Sequence, residues 1–294
     1  VKEAFKDKES VAQQVVATHD GGRLALYSYG TVDAPGERRV VVIGGAFLTA
    51  LIYRPFSEAL SKGLGEGWAV DVYDRRGRGD STPQPADYSM ATEIADVGTI
   101  MDATGARNLF GHSLGGSVAL NAVQEFTGTP YVPDKLAVYD AAVNIDGSID
   151  TGWLNGFERA VNSGNIGHAL AHMKKATKPG TAMARIPEPL LAGLMALVSR
   201  TRLNRMFSEV MPSAVGELRA AYNEADHARD FSVLPASTHF MAGGKSPSYY
   251  KVTAQRLHAA VPGSTYELSP KCFHGSIPAA VKELVSDISE YFKG

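Results

Sequence analysis

Gly111-His112-Ser113-Leu114-Gly115-Gly116 decides how the rest of the chain reads. The apolar pair Leu109-Phe110 precedes it, and a run with helical spacing (Val118, Ala119, Ala122, Val123, Phe126) follows. Strand, sharp turn, helix is the context in which a G-x-S-x-G match puts a serine at the apex of a nucleophile elbow. So tight a turn strains its central residue, and a Cβ two positions to either side would collide with the neighbouring strand and helix. The turn lifts the Ser113 hydroxyl clear of the sheet edge. It also aims the first free N–H groups of the helix, and that helix's positive end, at whatever bonds to the serine. Ser113 is therefore the candidate nucleophile.

Upstream, Gln14-Val15-Val16-Ala17-Thr18 and Leu24-Ala25-Leu26-Tyr27-Ser28-Tyr29 flank His19-Asp20-Gly21-Gly22 and read as a β-hairpin. Val40-Val41-Val42-Ile43 is a continuous apolar run, as a strand buried on both faces requires. It ends in Gly44-Gly45-Ala46-Phe47, and a helix is expected near residues 52–64. Trp68–Tyr73 reads as the next strand and runs into Asp74-Arg75-Arg76-Gly77-Arg78-Gly79-Asp80-Ser81. An amphipathic helix over 91–104 leads to the elbow.

Downstream, Leu136–Tyr139 is a further buried strand, ending at Asp140. Strands return at Thr238–Ala242 and Thr265–Leu268, with helices expected at 250–261 and 277–292. Residues 1–10 are charged and read as a loose arm or short helix. Between about 145 and 230 the strand–helix alternation stops, leaving helices interrupted at Asn162-Ser163-Gly164-Asn165 and Lys178-Pro179-Gly180. The expectation is an α/β protein with a mostly parallel, eight-stranded, doubly wound sheet. Residues 1–144 and 231–294 form its core domain, and 145–230 a helical cap inserted over the carboxyl ends of the strands, where such sheets bind ligands.

The 294 residues carry a formal net charge of −2, and basic residues cluster only at Arg75-Arg76-Gly77-Arg78, so no nucleic-acid partner is expected. The longest apolar stretches are too short for a membrane span. Residues 1–20 show no apolar leader, which makes a cytoplasmic location the default and leaves export with a removed leader open. The single cysteine, Cys272, excludes an internal disulfide and reads as a small packed residue. His168 and His172 have helical metal-ligand spacing, but no third ligand is near in sequence, so no metal is expected.

A serine needs a base to take its proton, and the base needs an orienting carboxylate. Among eight histidines, His274 alone follows the last strand, in a loop on the same side of the sheet as Ser113. The loop after the seventh strand, Gly243-Gly244-Lys245-Ser246-Pro247, carries no acid, whereas the loop after the sixth begins with Asp140. Asp140 is the assigned orienter and Asp146 the second choice. The oxyanion hole would use the N–H of Leu114 and a second N–H from the turn after the third strand, that of Ala46 or, as second choice, Phe47.

The elbow, the glycine turn, the Asp-Arg-Arg-Gly-Arg-Gly-Asp-Ser loop and the late Phe273-His274-Gly275 together resemble the α/β-hydrolase superfamily. The resemblance covers the chain except residues 145–230, where that family carries a variable cap, and the order Ser113, Asp140, His274 fits its Ser–acid–His order. Two departures stand out. Many members have His-Gly where this chain has Gly44-Gly45, and most carry the acid after the seventh strand. An acid after the sixth resembles haloalkane dehalogenases and some lipases, but the serine argues against dehalogenase and epoxide-hydrolase chemistry. The resemblance implies a cofactor-free serine hydrolase acting on an ester or lactone of a small hydrophobic substrate through an acyl-enzyme. A C–C bond hydrolase or an acyltransferase would use the same parts, and a non-catalytic binding protein would keep the pocket alone.

Overall fold

The computed structural model describes residues 11–177, 182–198, 202–222, 226–235 and 237–294. The expectations for residues 1–10 and for Lys178-Pro179-Gly180 lie outside the described residues. Eight strands form one sheet: β1 (Val11–Ala17), β2 (Arg23–Gly30), β3 (Arg39–Ile43), β4 (Ala69–Tyr73), β5 (Asn108–His112), β6 (Lys135–Tyr139), β7 (Thr238–Gly243) and β8 (Thr265–Ser269). Their spatial order is β1-β2-β4-β3-β5-β6-β7-β8. β1 and β2 form the antiparallel hairpin, β2 meets β4 antiparallel, and every later pairing is parallel.

The central strands are apolar throughout because both faces of the sheet are covered. Val41 and Ile43 join one core, with Leu109, Leu136 and Val138, while Val40 and Val42 join the other, with Phe110 and Tyr139. This period-two division is the strand pleat expressed as two hydrophobic layers. Helices α1 (Ala50–Leu64) and α9 (Lys282–Lys293) cover the second layer. Helices α2 (Met90–Thr104), α3 (Leu114–Phe126) and α8 (Ser248–Ala260) cover the first.

α9 starts five residues later than its sequence pattern suggests. A short 3-10 turn at His274–Ser276 precedes it, and Ala280 takes a left-handed φ of 50°, which breaks any continuous helix from 277.

Between β6 and β7 lie α4 (Leu154–Asn162), α5 (Ile166–Thr177), α6 (Glu188–Val198) and α7 (Arg202–Tyr222). Leu154, Phe157, Leu170, Leu191, Met211 and Leu218 carry this helical insertion onto the first hydrophobic layer. Its two ends are zipped together: Asp226 N–H donates to Asn144 O at 3.0 Å and Asp146 N–H to Asp226 O at 2.8 Å. In α6, Leu191 and Met195 are buried and Leu190, Leu194 and Leu197 exposed, so the apolar helix buries one side only. No helix among the described residues is long and apolar enough to cross a membrane.

Candidate active site

Ser113 sits between the end of β5 and the start of α3 with φ 57° and ψ −124°, a strained conformation for a residue with a side chain. Backbone bonds hold the strain in place. Ser113 N–H donates to Tyr139 O at 3.1 Å, and its carbonyl accepts the N–H groups of Gly116 and Ala142, both at 2.9 Å. The glycines are sterically required. A Cβ at Gly115 would lie 2.1 Å from Ile43 O, one at Gly111 2.6 Å from Gly115 O, and one at Gly116 2.8 Å from the Ala141 Cβ.

Asp140 follows β6 with a left-handed φ of 46° and is wholly buried. Its Oδ1 accepts the Gly243 N–H at 3.0 Å, and its Oδ2 accepts the Ser246 hydroxyl at 2.5 Å. The same Oδ2 lies 3.1 Å from His274 Nδ1. The Lys245-Ser246 loop that lacks an acid thus supplies a hydroxyl that supports the acid one strand away. Asp146, by contrast, pairs with His227 at 2.7 Å and Arg256 at 3.2 Å at the neck of the insertion.

The loop carrying His274 is pinned on both sides of that residue. Tyr139 O–H donates to Phe273 O at 3.0 Å, and His112 Nε2 lies 3.0 Å from His274 O. A carbonyl only accepts, so His112 carries its proton on Nε2, and its bare Nδ1 accepts from Tyr53 O–H at 2.6 Å. Tyr53 in turn accepts the Gly45 N–H at 2.7 Å. Burial, reinforced by the nearby His274, holds the His112 pKa well below its ordinary value, consistent with this neutral tautomer. One chain of hydrogen bonds therefore joins the turn at Gly45, the elbow and the His274 loop.

The His274 ring lies between two others. Tyr250, on α8, stacks on it at 4.5 Å with an 8° tilt and puts its hydroxyl 3.3 Å from Nε2; the His112 ring is 4.9 Å away on tilted planes. Burial, the largest cause, raises the Tyr250 pKa well above its ordinary value, so its hydroxyl stays protonated. Among the described residues no hydrogen bond links Ser113 Oγ to His274 Nε2.

Gly45 brings the turn after β3 against the serine: a Cβ there would lie 3.0 Å from Ser113 Cβ and 3.5 Å from Ser113 Oγ. The N–H groups of Ala46, Phe47 and Leu114 have no hydrogen-bond partner among the described residues. Phe47 takes φ 63° and packs edge-on against Phe157 of α4 at 5.8 Å, which in turn meets Trp153 at 5.5 Å. An aromatic row thus runs from the turn into the insertion.

The Asp74–Ser81 loop is built of buried charge. Asp74 accepts the Ala50 N–H at 2.7 Å at the start of α1, and burial, the largest influence, raises its pKa. Arg75 forms a two-pronged pair with Glu93, at 2.9 and 2.8 Å, and Arg76 does the same with Asp96, at 2.8 and 2.9 Å. Arg78 is buried, so the Arg78-Gly79-Asp80 triplet cannot present its arginine to a partner. A cavity of about 540 Å³ lies between this loop and α7, lined by Thr49, Leu51, Arg78, Gln84 and Ser213 among others, and Ser113, Asp140 and His274 are not on its wall.

Sequence reasoning missed Tyr53 and Tyr250. Tyr53 falls on the buried stripe of α1 with Phe56 and Leu60, and a tyrosine in such a stripe is the one available signal that a buried hydroxyl needs a partner. It also missed Glu188, whose Oε1 lies 2.5 Å from His168 Nδ1 and 3.6 Å from His172 Nε2. Cys272 is buried, and burial raises its thiol pKa.

Solved structures with the same architecture include an alpha/beta hydrolase from Sphaerobacter thermophilus, 26% identical over 95% of this chain and 100% of its own, with a TM-score of 0.73. A bromoperoxidase from Bacillus anthracis is 19% identical over 96% of this chain and 100% of its own, with a TM-score of 0.73. The enol-lactonase from Burkholderia xenovorans is 19% identical over 96% and 100%, with a TM-score of 0.68. At such identities these last two show likeness of fold alone. Comparison with curated proteins gives no match. The pattern of the alpha/beta hydrolase family matches residues 40–278, from the third strand past the His274 loop, and this chain belongs to that family.

Proposed function

We propose that this hydrolase cleaves a carboxylic ester or lactone with hydrophobic bulk through an acyl-enzyme on Ser113. The observation that carries the reading is the buried Asp140 carboxylate 3.1 Å from His274 Nδ1. An acceptor there keeps the proton on Nδ1 and leaves Nε2 as the lone pair that can take a proton from serine. As Ser113 Oγ bonds to the substrate carbonyl carbon, its proton passes to His274 Nε2. The carbonyl oxygen gains the negative charge, which the N–H groups of Leu114 and Ala46 would receive. Collapse of the tetrahedral intermediate expels the alcohol, which takes the proton from His274. Water repeats the cycle on the acyl-serine and releases the acid.

The insertion, residues 145–230, serves as a cap in this reading. The row Phe47, Phe157 and Trp153 supports a hydrophobic wall beside the acyl position. p-Nitrophenyl esters from acetate to octanoate, with an aryl lactone alongside, test the proposal. Turnover by the wild type should fall by ~10³-fold or more in Ser113→Ala and in His274→Ala. Undiminished turnover in either variant would remove that residue from the mechanism.

A further inference from the structure

We propose that Glu217, on the inserted helix α7, is a positioning residue that aims the oxyanion donor of Ala46 through Arg78. The inference rests on the oxyanion assignment above. Arg78 Nη1 donates to Gly45 O at 3.0 Å and to Leu48 O at 2.8 Å, and Arg75 Nη1 donates to Gly44 O at 3.0 Å. Two guanidinium groups thus grip three carbonyls of the turn that carries Ala46 and Phe47. The carbonyl of Gly45 and the N–H of Ala46 belong to one planar trans peptide and point in opposite directions. Fixing Gly45 O on Arg78 therefore fixes the direction of the Ala46 N–H. The Cα that starts this peptide faces the serine: a Cβ on Gly45 would lie 3.0 Å from Ser113 Cβ.

Arg78 itself needs a counter-charge. Its side chain is buried, and burial, with the neighbouring Arg75 charge second, lowers its pKa to about 10. Arg75 has Glu93 as its close partner, with Glu217 Oε2 farther off at 3.5 Å. Among the described residues, Glu217 is the one carboxylate that forms an ion pair with Arg78, through Oε1 and Nη2. Glu217 is fully buried, with one carboxylate oxygen on Arg78 and the other facing Arg75, so it supplies the negative charge between two guanidiniums. Without that charge the two buried arginines repel, and Arg78, unlike Arg75, has no other carboxylate in an ion pair among the described residues. The insertion therefore contributes to the core's chemistry, because the seating of α7 sets the turn that faces Ser113.

Glu217→Gln tests this with nearly unchanged shape. Gln84→Ala is the control: Gln84 Nε2 bonds Ser213 O at 2.9 Å, docking the same helix to the same loop without touching the turn. Ester turnover by Glu217→Gln should lose about 10-fold or more in kcat with KM within about twofold, a fraction of the loss that follows removal of an oxyanion donor. Binding of a boronic acid, which forms a tetrahedral adduct on serine, should weaken by the same factor. Hydrogen–deuterium exchange of the peptide over residues 44–52 should rise in Glu217→Gln and stay at the wild-type level in Gln84→Ala. Unchanged exchange in that peptide would overturn the proposal, as would an equal loss of kcat in Gln84→Ala. If the wild type turns over no ester, the functional reading fails, and exchange at 44–52 still decides whether Glu217 holds the turn.

Discussion

At the scale of single residues, the site depends on one buried carboxylate doing three things. Asp140 accepts from Gly243, from Ser246 and from His274, so its position is fixed before any substrate arrives. Asp140→Asn preserves size but offers an amide N–H to a ring nitrogen that should itself be the donor. The imidazole is then free to adopt the wrong tautomer. The expected outcome is a fall in kcat of about 10³–10⁴-fold with little change in KM. A steady-state comparison on one p-nitrophenyl ester checks it. Ser113 and His274 stand out in the sequence as candidates because glycines and loop order surround them with recognisable patterns. Asp140 stands out as a candidate by elimination, since the loop after β7 holds no acid. Tyr250 does not, because nothing in Ser248-Tyr249-Tyr250 distinguishes a tyrosine stacked on a histidine from one packed in a core.

At the scale of elements, each glycine of the elbow answers to a measurable contact. Gly115→Ala would drive a Cβ into Ile43 O at 2.1 Å, against backbone that cannot yield, and α3 would have to lift from β3. Gly98 in α2 offers the contrast: a Cβ there meets only the tip of Phe126 at 3.5 Å. Thermal denaturation should show Gly115→Ala strongly destabilised or unfolded. Gly98→Ala should be neutral to stabilised by up to ~1 kcal/mol, the helix-propensity gain of alanine over glycine. The strands read well because residues buried on both faces leave continuous apolar runs such as Val40–Ile43. The start of α9 read poorly, because the amphipathic pattern continues through Ile277 while the backbone turns at Ala280. Periodicity reports which face is apolar and is silent about a single left-handed residue.

At the scale of the whole molecule, half-buried charge at the edge strand β8 also matters. Glu267 on β8 has its pKa pushed up to about 7, by burial first and then by Asp287, Glu283 and Glu290. His239 Nε2 is 3.5 Å away, but burial lowers its pKa to about 4, so it offers little positive charge at neutral pH. A carboxyl whose pKa is raised in the folded state opposes folding once the unfolded chain would ionise it. Its penalty grows as pH rises from about 4.5 to about 7 and is constant above. Glu267→Gln should therefore raise Tm relative to wild type at pH 8, with the difference shrinking toward zero as pH falls below 5. Paired melts across that range measure the difference directly.

The insertion was legible as helices between β6 and β7, but its docking was not. Glu217 meets Arg78 from 139 residues away in the chain, and helical spacing carries no information about which buried charge faces which loop. The same holds for Glu188 beside His168 and His172.

In the proposed mechanism Ser113 is a nucleophile activated by His274 and Asp140. Intact-mass spectrometry after treatment with a fluorophosphonate tests it without knowledge of the substrate. One adduct per chain is expected, mapped to Ser113, absent in Ser113→Ala and formed far more slowly in Asp140→Asn. A folded wild type that takes up no adduct, or an adduct that persists in Ser113→Ala, would contradict it.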